Sequence, residues 1–191
     1  MSTPAVVDTD GDQVADRVYA GDLFGNVWAF DLSSSRSSDW KVASGSALFT
    51  TANRQPIMTK PEIIRHPQMP TSGNQPNLML FFGTGQYIVA GDNTTTDVQS
   101  FYGVWDRGDS GLKRDDLVEQ VFLREESGAG RVTDPDRWQE LKVDYKKAST
   151  GDRYGWYFDL PDKGERVVTD ARYRGGLVFF NTLVPTDPRP C

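Results

Sequence analysis

The sequence predicts an all-β fold assembled from propeller-type blades with loop and short helical insertions, and three observations carry that prediction. Eighteen Gly and eleven Pro are scattered without a period along 191 residues, which marks many turns between short strands. Aromatic residues make up 12% of the chain, far too many for a segment that stays disordered. One hairpin pattern recurs three times, as stacked blades require.

The elements follow in order. Ala5-Val6-Val7 reads as a strand that begins almost at once, as expected of a fragment, so residues 1–191 are read as a single propeller-type unit. Arg17 to Asp31 holds two β-rich runs around a Gly/Asp/Asn turn and predicts a hairpin. Ser33 to Asp39 is a polar connection, and Arg65 to Asn77, with three X-Pro steps, is a loop between blade strands. A second copy pairs Leu80-Phe81-Phe82-Gly83 with Tyr102-Gly103-Val104-Trp105-Asp106, interrupted by Gln86 to Phe101. The polar stretch Gly91 to Asp97 inside that interruption reads as a surface loop. Arg114 to Leu123 fits either a short helix or a strand, and Val132 to Lys147 mixes helical and strand spacing. Val167 to Arg172 is strand-like and leads into a weaker third copy, Gly176 to Leu183. A four-stranded blade takes ~40–45 residues, and the copies here lie further apart, so about three blades with insertions are expected.

The aromatic residues of the repeats, among them Trp28, Phe30, Phe81, Phe82, Tyr102, Trp105, Phe179 and Phe180, read as packing between blades. Trp40, Trp138, Trp156 and Tyr157 lie outside the repeats and are expected to be freer.

The chemistry concentrates in Asp8-Thr9-Asp10-Gly11-Asp12-Gln13-Val14-Ala15-Asp16, where acidic residues occupy positions 1, 3, 5 and 9. That is the spacing of an EF-hand-type calcium loop. Calcium takes six to eight oxygens at ~2.3–2.6 Å, and a tightly coiled loop aims alternate side chains inward. Asp8, Asp10 and Asp12 are candidate ligands, Val14 offers its carbonyl, and Asp16 closes the site directly or through water. Gln13 stands where Gly usually makes the turn, Tyr19 stands where a bidentate Glu closes the helical version, and a strand follows instead of a helix. A second oxygen-rich stretch, Asp92 to Asp97, lacks this spacing and reads as a polar loop tip.

Other chemistries are excluded by what the residues offer. A net charge of −6 without a basic cluster argues against nucleic acid. The lone His66 sits in a Pro-flanked loop without a nucleophile motif, and Phe82-Gly83-Thr84-Gly85-Gln86 reads as a tight turn, not a dinucleotide fingerprint. The single cysteine, Cys191, is the last residue and closes no internal bridge. No apolar run is long enough for a membrane helix. An enzyme is therefore not expected.

The run Asp8 to Asp31, together with Gln55-Pro56-Ile57, Lys60-Pro61-Glu62, Phe82 to Tyr87 and Asp97 to Asp106, resembles the C-terminal domain of the PilC/PilY family of type IV pilus assembly and tip-adhesin proteins. The resemblance implies a modified β-propeller related to quinoprotein repeats, with a regulatory Ca²⁺ site held by Asp8, Asp10, Asp12, Val14 and Asp16. It also implies a parent secreted to the pilus tip, the cell surface or the outer membrane. Its partners would be pilins or minor pilins and a host-cell surface, and its roles pilus extension and retraction, twitching motility and attachment. A quinone-dependent dehydrogenase fragment and a calcium-dependent lectin are the alternative readings. An open set of blades exposes strand edges, so an edge-mediated homo-oligomer, or an edge packed under a loop, is expected.

Overall fold

The computed structural model describes residues 1–70, 75–126, 130–133, 142–145 and 154–185. Cys191, Trp138 and most of the ambiguous stretch from Val132 to Lys147 lie outside the described residues. The first strands are β1 (Ala5–Val7), β2 (Arg17–Gly21), β3 (Asn26–Asp31), β4 (Lys41–Val42), β5 (Phe49–Thr50), β6 (Glu62–Arg65), β7 (Leu78–Gly83) and β8 (Ser100–Asp106). They are followed by β9 (Leu112–Lys113), β10 (Val118–Glu119), β11 (Phe122–Glu126), β12 (Gly130–Thr133), β13 (Gly155–Asp159), β14 (Arg172–Arg174) and β15 (Leu177–Phe179). The helical insertions among the described residues are three-residue 3-10 turns, and no α-helix occurs there.

Two sheets repeat one plan. Sheet one runs β1-β2-β3-β5 antiparallel and adds β9 in parallel at its edge, with β4 also on β3. Sheet two runs β6-β7-β8-β13 antiparallel and adds β10 in parallel. Each is built on four antiparallel strands with one further strand added in parallel at an edge, and sheet one carries β4 as a sixth. Both added strands come from the stretch after Asp106, which straps the two blades together. The ladders are thereby extended past β5 and β13, and β9 and β10 become the terminal strands on those sides.

Period-2 alternation builds two cores from sheet two. Leu78, Leu80, Phe82, Tyr102 and Val104 face sheet one and meet Tyr19, Val27, Phe49 and Ile57. Met79, Phe81, Phe101 and Trp105 face the other way and are covered by Phe158, Leu160, Val167, Ala171 and the half-buried Tyr173 and Val178. All six residues of β7 are buried. Continuous apolar runs such as Leu78-Met79-Leu80-Phe81-Phe82 therefore mark a strand covered on both faces.

Two expectations need correction. The third hairpin copy, Gly176 to Leu183, forms only the second arm of the two-stranded β14–β15 and not a further four-stranded blade. Leu177 and Phe179 point to solvent at 62% and 55% exposure, so one face alone packs and the hairpin acts as a cover on sheet two. Trp156 and Tyr157 are not free surface aromatics: both lie in β13, where Tyr157 joins the inter-sheet core and Trp156 is paired with Gly103. A Cβ on Gly103 would lie 2.6 Å from the indole, so the glycine makes room for the ring, a cross-strand relation that linear spacing hides. Arg114 to Leu123, which fits either a short helix or a strand by its spacing, supplies both in short form: a three-residue 3-10 turn, β10 and the start of β11.

His66 is 5% exposed and packs against Trp105 and Tyr145 with ring centroids 5.0 and 4.4 Å away. Its Nδ1 accepts the N–H groups of Gln68 and Met69, while Nε2 has no hydrogen-bond partner among the described residues. Burial pushes the imidazole down to about 4 from its ordinary 6.5. The unfolded chain therefore binds more protons than the folded one between these values, and stability rises with pH across that window. We expect full stability from this site above pH ~6.5, and a loss on the order of 2 kcal/mol by pH ~4 after allowing for residual solvent screening. Urea midpoints of the parent and His66→Phe, compared from pH 4 to 7, test this, and the variant should have the flatter profile.

Candidate metal centre

The loop joining β1 to β2 is shaped by its own carboxylates. Asp8 Oδ1 accepts the Gly11 N–H at 2.6 Å and Oδ2 accepts the Gln13 N–H at 2.8 Å, which folds the chain back over the first residue. Asp10 and Asp12 cap the N–H groups two residues on, those of Asp12 and Val14. Asp16 Oδ2 accepts both the N–H and the hydroxyl of Thr9 at 2.6 Å. The Gly11 and Gln13 donors hold the Asp8 carboxyl below its ordinary range.

These bonds bring one carboxylate oxygen each from Asp8, Asp10 and Asp16 within 4.8 Å of one another. Oxygens that share a calcium at ~2.3–2.6 Å lie at most about 5 Å apart, so the three fit a single coordination sphere of hard oxygen donors. The residues present thus suit the cation that the loop spacing implies. Asp12 is placed differently, with its Oδ1 on the Val14 N–H, and the exposed Val14 side chain takes no part in the cluster. The second oxygen-rich stretch is no loop tip at its first residue: Asp92 is 3% exposed, and its carboxylate accepts from Gln86 Nε2 and the N–H groups of Ile88 and Val89.

Both departures from the helical calcium loop acquire a physical meaning. Gln13 adopts φ +73°, the left-handed region that its position demands and that a side chain resists. Tyr19 at position twelve turns away from the loop into the core, where its hydroxyl donates to Asp106 Oδ2 at 2.6 Å. We expect Gln13→Gly to relieve about 1 kcal/mol of backbone strain and to raise the stability of the folded chain by that amount. Urea midpoints of parent and variant check this, and an unchanged or lower midpoint would contradict the strain.

The anchoring of the loop is what sequence reasoning missed. Asp16 N–H donates to the Val7 carbonyl and Leu32 N–H donates to the Asp16 carbonyl, so the loop's last acid is stitched into sheet one. Arg17, next along, lies 3.4 Å from Asp106 Oδ2, at the end of β8 in sheet two. Nothing in the local pattern Trp105-Asp106 foretells partners 87 and 89 residues away.

Residues 1–121 match the family model described as the PilY1 beta-propeller domain. The chain belongs to the PilY1 β-propeller family. It is 34% identical over 197 residues to a Type IV pilus biogenesis factor PilY1 homolog of Xylella fastidiosa (strain Temecula1), an alignment covering 95% of this chain and 12% of that protein. It is 29% identical over 245 residues to Type IV pilus biogenesis factor PilY1 of Pseudomonas aeruginosa (strain UCBPP-PA14), covering 100% of this chain and 20% of that protein. The crystal structure of the Pseudomonas aeruginosa PilY1 C-terminal domain superposes with a TM-score of 0.70 at 26% identity, over 95% of this chain and 44% of that one. The chain thus spans a fifth or less of these two curated relatives. No helix among the described residues is long and apolar enough to cross a membrane.

Proposed function

We propose that this chain is a calcium-binding, non-enzymatic propeller module of a type IV pilus biogenesis protein that works outside the cytoplasm, at the pilus tip or cell surface. The observation that carries the reading is the convergence of Asp8, Asp10 and Asp16 in a loop that runs directly into a blade strand. Bound Ca²⁺ would neutralise carboxylates that otherwise repel one another within nine residues, with Asp12 and the Val14 carbonyl completing the oxygen set. The chain's own residues fix the loop at both ends, through the β1–β2 ladder and the bonds of Asp16. Occupancy then sets the order of one surface of the blade, and through it the module's engagement with pilins or minor pilins and with host surfaces. Pilus extension and retraction, twitching and attachment are the outputs of that engagement.

Isothermal titration calorimetry on the chelator-treated chain should read one calcium per chain, and the Asp10→Ala/Asp16→Ala double variant should read none. The same replacements in the parent protein of a piliated strain should reduce twitching zones while pilin levels hold. Calcium binding by the double variant would remove the site assignment. Normal twitching without binding would remove the regulatory role.

A further inference from the structure

Asp106 stands outside the calcium loop, yet it joins the loop's exit to the second blade. Its side chain is 1% exposed, and burial pushes its carboxyl above the ordinary range. Three donors meet it: the Tyr19 hydroxyl at 2.6 Å and Arg17 Nη1 at 3.4 Å on Oδ2, and the Gly108 N–H at 2.8 Å on Oδ1. Two of them come from the first residues of β2, and the third opens the strap that carries β9 and β10. That strap is seated by Leu112 and Leu117 in the inter-sheet core, and by Arg114, whose Nη2 lies 2.6 Å from Asp159 Oδ2 and whose guanidinium covers Tyr157.

We propose that Asp106 is the positioning residue that couples the calcium loop to the strap, so that occupancy between β1 and β2 is read on sheet two. This rests on the calcium reading of the loop given above. The physical route is short. Asp16 is held by Val7 and Leu32, and ordering its carboxylate about a cation restricts Arg17 one residue on. Arg17 and Tyr19 in turn fix the Asp106 carboxylate, and Asp106 fixes Gly108. Coupling of this kind is reciprocal, so loosening Asp106 must weaken calcium binding by the same factor that calcium loses in tightening the strap.

The test is hydrogen exchange with and without calcium, alongside calorimetric affinity, on the chain and on Asp106→Asn, which keeps size and shape, with Arg17→Met as a second variant. In the parent, calcium should slow exchange both in residues 8–16 and in residues 107–119. In either variant it should bind about fivefold or more weakly, should still protect residues 8–16, and should no longer protect residues 107–119. Unchanged affinity in both variants, or calcium-dependent protection confined to the loop in the parent, would overturn the coupling and leave the calcium site standing. Absence of any binding to the parent would overturn the calcium reading itself, and the coupling with it.

Discussion

Tyr102→Ala should lower the stability of the chain by about 5 kcal/mol. Truncating a buried aromatic leaves a cavity that costs ~3–5 kcal/mol, and Tyr102 is fully buried at the centre of the inter-sheet core. Its ring lies 5.2 Å from Phe49 of sheet one and 5.4 Å from Phe82 of sheet two, so one side chain holds both blades. Its hydroxyl donates to Gln55 Oε1 at 2.6 Å, and the Gln55 amide in turn donates to the Val98 carbonyl and Ser100 Oγ. Losing the hydroxyl leaves a buried acceptor unpaired, worth ~1–3 kcal/mol by itself. Tyr102→Phe isolates that part and should cost about 1–2 kcal/mol. Urea denaturation of the three proteins separates the contributions, and a loss below about 2 kcal/mol for Tyr102→Ala would contradict the inter-sheet core as the main source of cohesion.

Arg166→Ala should cost about 4 kcal/mol and release the loop from Gln86 to Thr96. Arg166 is 3% exposed and makes five hydrogen bonds: Nε to the Gly164 carbonyl, Nη1 to the Gln86 and Asp92 carbonyls, and Nη2 to the carbonyl and hydroxyl of Thr95. Its own backbone bridges to Leu183. The planar fork meets three carbonyls of one loop at once, which a lysine ammonium cannot copy. Arg166→Lys should therefore recover less than half of the loss. Removing the guanidinium strands several acceptors at ~1–3 kcal/mol each, less what water recovers at the opened surface. Limited proteolysis should cut both variants within residues 86–96 at protease levels that leave the parent whole, and resistance equal to the parent's would contradict the role of Arg166 as the loop's clasp.

How legible all this is in the chain depends on the range of the interaction. The hairpin of β2 and β3 is legible because its alternation and turn are local, and so are β7 and β8, whose apolar runs admit little else. The spacing of Asp8, Asp10, Asp12 and Asp16 is likewise a local device, and the geometry brings three of the four together. The family resemblance, carried by Asp8 to Asp31 and Asp97 to Asp106, agrees with the PilY1 beta-propeller match over residues 1–121. What stays hidden is non-local. Trp156 and Tyr157 look unattached until β13 pairs with β8, and Asp92 looks like a solvated tip until Gln86 and two backbone donors close on it. The straps β9 and β10, two residues each, carry no periodicity that a sequence could display. Asp106 belongs to the same class, since its meaning lies in Arg17 and Tyr19 across the blade interface.

Calcium held by the acidic loop on sheet one should stabilise the folded blade. The decisive measurement is thermal unfolding of the chelator-stripped chain across a calcium titration, with Asp10→Ala in parallel and magnesium as the control cation. A ligand at 100 times its dissociation constant adds ~2.7 kcal/mol to the folded state, which for a chain of this size raises Tm by roughly 5–10 °C. That rise is expected for the parent with calcium, a much smaller one with magnesium, and none for Asp10→Ala. A parent whose Tm does not respond to calcium, or a variant that rises as the parent does, would contradict it.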